Sequence, residues 1–251
     1  MMFSGEVAWV TGSSKGIGRA IAVGLAEAGC DVAVHYNSSE DEAREVVEEV
    51  KAAGREGFAV RGDVSDSDDV KRMVAEIEEK FGRVDVLVNN AGGFVERRTF
   101  EEMTEDLWDR IMAVNLKSVY LVSQSVLPLM KRQGGGRIVN ITSIAARNGG
   151  GADSIAYSAA KGGVSTLTRG MAKSFAGDNI LVNAVAPGRI DTPLHDVFTP
   201  DEKREQAAQG IPLKREGTPE EVAAAVVFLA SPKAGYLLGE VIEVNGGLLM
   251  D

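Results

Sequence analysis

The segment YSAAK, Tyr157 to Lys161, sets a phenol and an ammonium four residues apart, about one turn of a helix. A free tyrosine titrates near pH 10 and is a poor base at neutral pH. A lysine on the same helix face favours the phenolate and moves the group toward the range useful to a general acid/base. The same spacing is ordinary on solvated helix faces, so the pair acquires chemical meaning only from its surroundings.

A second stretch, TGSSKGIG from Thr11 to Gly18, follows an apolar run and opens an alanine-rich segment. A glycine-rich turn between a strand and a helix lets backbone N–H groups approach a pyrophosphate, and the helix N-terminus adds partial positive charge. The glycine spacing is Gly-x-x-x-Gly-x-Gly, unlike the commoner Gly-x-Gly-x-x-Gly.

Elements to position these residues are visible along the chain. Seven short β-rich runs recur: VAWVTG, DVAVHY, GFAVRG, VDVLVNN, RIVNITS, ILVNAVAP and EVIEVNGG. Most read as buried on both faces. Between them lie segments of helical period, with Val46, Val47 and Val50 in one and Val70, Met73, Val74, Ile77 and Phe81 in the next. Helix starts are signalled by Ser39 with Glu42, Ser65 with Asp68, and Thr218 with Pro219 and Glu221. Strands joined by helices predict a Rossmann-like, doubly wound parallel sheet with helices on both faces, an α/β fold in a single domain over 1–251.

Composition narrows the function classes. The chain has 251 residues and a formal net charge of -10, which argues against a general nucleic-acid or anionic-membrane binder. Cys30 is the only cysteine, and His35 and His195 stand far apart, so no metal ligand cluster is expected. The start MMFSGEVAWV lacks a basic segment followed by a long apolar run, and a cytoplasmic protein is expected.

The ordered motifs resemble the short-chain dehydrogenase/reductase family nearly end to end. They are TGSSKGIG, Asp63-Val64 after the third strand, NNAG at Asn89 to Gly92 after the fourth, Asn115, Ser143, YSAAK, and PGRIDT at Pro187 to Thr192. The resemblance implies hydride transfer between a nicotinamide cofactor and a carbonyl or secondary alcohol. Tyr157 would be the acid/base, Ser143 would align the substrate oxygen, and Lys161 would lower the tyrosine pKa and bind the nicotinamide ribose. Asn115 would kink its helix and hold a water that relays protons. The implied cofactor set is Gly12, Ser14, Lys15, Gly16, Ile17 and Gly18 at the pyrophosphate, Tyr36, Asn37 and Ser38 near the adenosine ribose, and Asp63 and Val64 at the adenine. Asn89, Ala91 and Gly92 would lie against the adenosine ribose, and Pro187, Gly188, Ile190 and Thr192 would hold the carboxamide, with Tyr157 and Lys161 shared.

NADP(H) is favoured, with NAD(H) as the alternative. No acid follows the second strand until Glu40, and Lys15 in the glycine turn could face a 2′-phosphate, although Asn37 stands where many NADP-using relatives carry arginine. Loop lengths resemble 3-oxoacyl-carrier-protein reductases and glucose- or gluconate-type dehydrogenases, and a noncatalytic NADP(H) sensor is the reading of another class. The expected partners are a small-molecule or carrier-bound carbonyl substrate and further copies in a homotetramer. Residues 194–212 read as a substrate lid. Arg97, Arg98 and Arg147 read first as solvated cations, with contact to an anionic substrate as the alternative. For an acidic carrier protein, Lys131, Arg132 and Lys173 are the expected docking cations, flanking the pocket entrance.

Overall fold

The computed structural model describes residues 2–192 and 208–250. Each of the seven β-rich runs forms a strand, and each forms for the same reason: a few β-branched or small apolar residues between turn formers. They are β1 (Val7–Val10), β2 (Asp31–Tyr36), β3 (Gly57–Arg61), β4 (Val86–Asn89), β5 (Gly136–Ile141), β6 (Ile180–Pro187) and β7 (Val241–Val244). They pair in the order β3-β2-β1-β4-β5-β6-β7, every pair parallel. The order reverses direction between β1 and β4, where a doubly wound sheet opens a crevice at its carboxyl edge.

The helices are α1 (Gly16–Ala28), α2 (Glu40–Ala52), α3 (Ser67–Phe81), α4 (Glu105–Met112), α5 (Ser118–Arg132), α6 (Ala145–Asn148), α7 (Ile155–Phe175) and α8 (Pro219–Ala230). They bury two separate cores. Ile21 and Leu25 of α1, Val46 and Val50 of α2, and Val226 and Leu229 of α8 pack on one face of the sheet. Met73 and Ile77 of α3, Val122 and Val126 of α5, and Met171 of α7 pack on the other.

The capping signals fared unequally. Thr218 and Glu221 form the expected reciprocal capping box, with Pro219 at the first helical position. Ser39 occupies its N-cap position but makes no side-chain cap bond, and the Glu42 side chain pairs with Lys15. Asp66, not Ser65, caps α3, accepting from the Asp68 and Asp69 amides, and Ser65 turns back to Asp63 at 2.8 Å and 2.6 Å. A carboxylate one residue nearer the helix takes the role because it can accept two amides at once. β7 is only half-buried along its length, so it departs from the doubly covered pattern. No helix among the described residues is long and apolar enough to cross a membrane.

Candidate active site

The motif residues converge at the carboxyl ends of the strands. β1 delivers the glycine turn, in which Gly12 and Gly16 take the left-handed region at φ 63° and 54°. A Cβ on Gly18 would lie 2.2 Å from the Gly12 carbonyl oxygen, and one on Gly12 would lie 2.9 Å from Ala91 Cα. The turn is therefore compressed against the NNAG segment, and only glycine fits. Helix α1 starts at Gly16 with no side-chain cap and no acidic residue in its first turn. By contrast α2, α3, α4 and α8 all carry acids there. Uncapped amides with partial positive charge and no acid in the helix's own first turn fit a pyrophosphate, so the residues present suit a dinucleotide.

The second wall is β4 and its continuation. Thr11 Oγ1 accepts from the Asn90 amide at 2.9 Å and the Ala91 amide at 3.0 Å, while Asn90 Nδ2 donates to the Thr11 and Gly12 carbonyls. These bonds lock the two turns together. Asn89, expected against the ribose, instead turns its side chain inward, where Nδ2 donates to Ser123 Oγ at 3.0 Å and Asn140 Oδ1 at 2.8 Å. Thr11 and Asn90 are the anchors that sequence reasoning missed, although both sit inside the motifs that were read.

At the side expected to hold the adenine, Asp63 is half-buried and Val64 buried, on the turn after β3. Asp63 Oδ1 accepts from Ser65, which fixes the turn. Tyr36 ends β2 half-buried, with Asn37 and Ser38 exposed beside it. Lys15, expected to face a phosphate, forms a 2.6 Å ion pair with Glu42 from the first turn of α2. That pair holds the Glu42 carboxyl below its usual range. At the side expected to hold the nicotinamide, Pro187 ends β6, Gly188 N–H donates to the Val244 carbonyl at 2.9 Å, and Ile190 and Thr192 are buried. Residues 194–207 of the expected lid, 194–212, lie outside the described residues.

The chemical centre lies on β5, α7 and the break between α4 and α5. Ser143 follows β5, and its Oγ accepts from the Ala145 amide at 3.1 Å. Tyr157 stands in the first turn of α7, half-buried, with the Phe94 ring at 4.7 Å. Burial pushes the Tyr157 phenol above its ordinary pKa, and a hydrogen bond with Ser143 pulls the other way. Lys161 is buried at 3% exposure, and its Nζ donates to the Ile141 carbonyl at 2.8 Å. Burial pushes its pKa down to about 8. Nζ lies 5.8 Å from the centre of the Tyr157 ring. Burial disfavours the charged forms of both groups in the free chain.

Asn115 sits in a π-helical turn, Ala113–Lys117, that joins α4 to α5. Its Nδ2 donates to the Ile111 carbonyl at 3.0 Å and the Gly93 carbonyl at 2.9 Å, and its Oδ1 accepts from the Gly93 amide at 2.9 Å. The side chain takes over a carbonyl that a regular helix would pair with a backbone amide, which is the physical source of the expected kink. A Cβ on Gly92 would lie 2.6 Å from Asn115 Oδ1 and 3.3 Å from Lys161 Nζ. The two motifs therefore abut.

The candidate substrate cations are all engaged with carboxylates. Arg97 lies 3.6 Å from Asp153 and stacks over Phe94, Arg98 pairs with Glu96, and Arg147 lies 3.4 Å from Glu243. Within the single chain, Lys131 and Arg132 stand away from the carboxyl ends of the strands. They end α5 at the amino-terminal edge of the sheet, where Lys131 pairs with Asp178 at 2.7 Å and Arg132 with Glu78. Lys173 is near the end of α7, just ahead of β6 and on the same edge. Helices antiparallel to the strands carry their last turns away from the carboxyl ends.

Comparison with known proteins agrees with this geometry. The family model described as enoyl-(acyl carrier protein) reductase matches residues 12–249. A 3-oxoacyl-acyl-carrier-protein reductase of Staphylococcus epidermidis is 47% identical over 245 residues, covering 97% of this chain and 98% of the relative. One from Thermotoga maritima is 40% identical over 250 residues, covering 100% of both. The crystal structure of an acetoin dehydrogenase from Enterobacter cloacae superimposes with a TM-score of 0.88 at 41% identity, covering 97% of this chain and 95% of that one. A protein provisionally assigned as a gluconate dehydrogenase, from Agrobacterium tumefaciens, gives 0.93 at 34% identity, covering 99% and 97%.

Proposed function

Because the chain belongs to the short-chain dehydrogenase/reductase family, we propose that it is a ketoreductase of 3-oxoacyl thioesters, carrier-bound in the cell, with NADP(H) as its preferred cofactor. The observation that carries this reading is the meeting of three residues at the carboxyl end of β5: Ser143 close enough to Tyr157 to pull its phenol pKa down, and buried Lys161 with Nζ 5.8 Å from the Tyr157 ring centre and against Gly92. The bound nicotinamide would supply the hydride. The chain's own residues do the rest: Tyr157 holds, at its phenol oxygen, the proton that a ketone oxygen takes up, and Ser143 aligns that oxygen. Lys161 binds ribose hydroxyls and makes up the proton on Tyr157, and Asn115 keeps Gly93 and the π turn in place beside it.

The preference for NADP(H) is supported by the end of β2, Tyr36-Asn37-Ser38, which offers no carboxylate to a 2′-phosphate. The sugar-acid dehydrogenase reading is favoured by one observation, the structural match to the gluconate dehydrogenase assignment. The noncatalytic sensor gives no reason for Ser143, Tyr157 and Lys161 to meet. We place the enzyme in the cytoplasm, as a tetramer.

The test is a panel of acetoacetyl thioesters, free and carrier-bound, with acetoin and gluconate, assayed with both cofactors by nicotinamide absorbance. Wild type reduces the thioesters, and Tyr157→Phe lowers turnover by roughly 10²–10⁴-fold while cofactor affinity is nearly unchanged. Oxidation of gluconate without thioester reduction moves the sugar-acid reading to first place. Near-normal turnover in Tyr157→Phe removes the acid/base assignment.

A further inference from the structure

His35 is the fifth residue of β2 and is buried at 2% exposure in the middle of the dinucleotide cradle. The Gly12 amide donates to its Nδ1 at 2.7 Å, and its Nε2 lies 3.0 Å from the Gly62 carbonyl oxygen. With Nδ1 accepting, the ring proton sits on Nε2, which donates to Gly62. The imidazole is therefore neutral and in one tautomer. Its backbone is tied to the same turn, since His35 N–H donates to Ser13 Oγ at 2.9 Å and Ser13 N–H to the His35 carbonyl at 3.0 Å. The charged groups acting on the ring are Asp63, on the turn after β3, and Asp69, on α3, and both favour its protonation. Burial outweighs them and pushes its pKa down to about 4, so the neutral form holds through the physiological range.

The two partners of the ring belong to different halves of the adenosine site. Gly12 is the first glycine of the phosphate turn, held at φ 63°. Gly62 directly precedes Asp63 and Val64, and its own N–H donates to the Tyr36 carbonyl at 3.0 Å. Neither strand-end turn contacts the other through its own backbone in the bonds that define them; the ring spans them.

We propose that His35 is a positioning residue for the dinucleotide: its neutral imidazole fixes the Gly12 turn relative to the Gly62–Val64 turn and so sets the spacing between the pyrophosphate and adenine sites. The proposal rests on reading those turns as the cofactor cradle. It predicts an effect confined to the adenosine half of the ligand, because Ser143, Tyr157 and Lys161 lie across the sheet on β5 and α7.

Two variants separate the two bonds. His35→Asn keeps an acceptor near the Nδ1 position for the Gly12 amide, whereas His35→Gln keeps a donor near Nε2 for Gly62 and leaves the Gly12 amide unpaired. Dissociation constants are measured for NADPH, NADH and ADP-ribose by calorimetry, with turnover at saturating cofactor. His35→Gln is expected to weaken all three ligands by about tenfold, the worth of one buried hydrogen bond left unmade. Turnover at saturation stays near wild type, and His35→Asn recovers most of the affinity. Equal losses in the two variants, or an ADP-ribose affinity untouched in both, overturn the proposal. Ring nitrogen shifts of wild-type His35 provide a reading that needs no variant: the Nε2–H tautomer is expected at pH 7, and an Nδ1–H tautomer or an imidazolium refutes the assignment. If wild type binds no ADP-ribose, the cofactor reading itself fails. If it binds and the variants do not discriminate, only the role of His35 fails.

Discussion

Replacing Lys161 with methionine should stabilise the protein while removing its activity. The side chain is buried at 3% exposure, and burial takes its pKa from 10.5 to about 8. At ~1.4 kcal/mol for each pH unit, the folded chain carries about 3 kcal/mol against itself to keep that ammonium charged at pH 7. Between pH 8 and 10.5 the unfolded chain still binds a proton that the folded chain has released, so this group makes stability rise with pH across that window. The full penalty is present below pH 8. Methionine fills similar volume without charge, and it forfeits the 2.8 Å bond to the Ile141 carbonyl, worth about 1 kcal/mol for the neutral amine. The expected net gain at pH 7 is about 2 kcal/mol. Urea unfolding of both forms, at one fixed protein concentration, measures it. The advantage of Lys161→Met should shrink and then reverse by pH 10, since only the wild type gains stability there through this group. A difference that stays flat from pH 7 to pH 10, or a variant less stable at pH 7, refutes the reasoning. The same variant should lose cofactor retention and turnover, which marks the buried charge as a cost the fold carries for function.

Two further outcomes follow from the surface of the cradle. Glu42 holds Lys15 in the free chain, so Glu42→Gln should tighten NADPH more than NADH and make NADPH binding more sensitive to salt, as read by nicotinamide fluorescence titration; equal effects on both cofactors, or weaker NADPH binding, discard Lys15 as a phosphate contact. Light scattering at micromolar concentration should give a tetramer mass, because Tyr236, Leu238, Leu248 and Met250 near the C-terminus and Leu213 beside them are exposed in the single chain; a monomer mass counts against that assembly.

What was legible in the sequence is what local chemistry writes there. Seven apolar runs separated by turn formers gave the strands, and the polar residues closing those runs gave the crevice, because in a parallel sheet only the strand ends meet solvent. What was not legible depends on which way a side chain points once distant segments pack. Asn89 and Asn90 read alike within NNAG, yet successive residues leaving a strand face opposite ways. The first joins the buried Ser123–Asn140 network, and the second pins the Thr11–Gly12 turn. His35 looked like a lone histidine in an apolar strand, since its partners Gly12 and Gly62 are 23 and 27 residues away and contribute only backbone atoms, which no side-chain pattern records. Lys161 poses the same problem in energetic form. Its spacing from Tyr157 predicted a stabilised phenolate, but in the folded chain its ammonium reaches the Ile141 carbonyl and burial disfavours both charges. Burial holds the free chain's Tyr157 protonated at neutral pH, ready to donate.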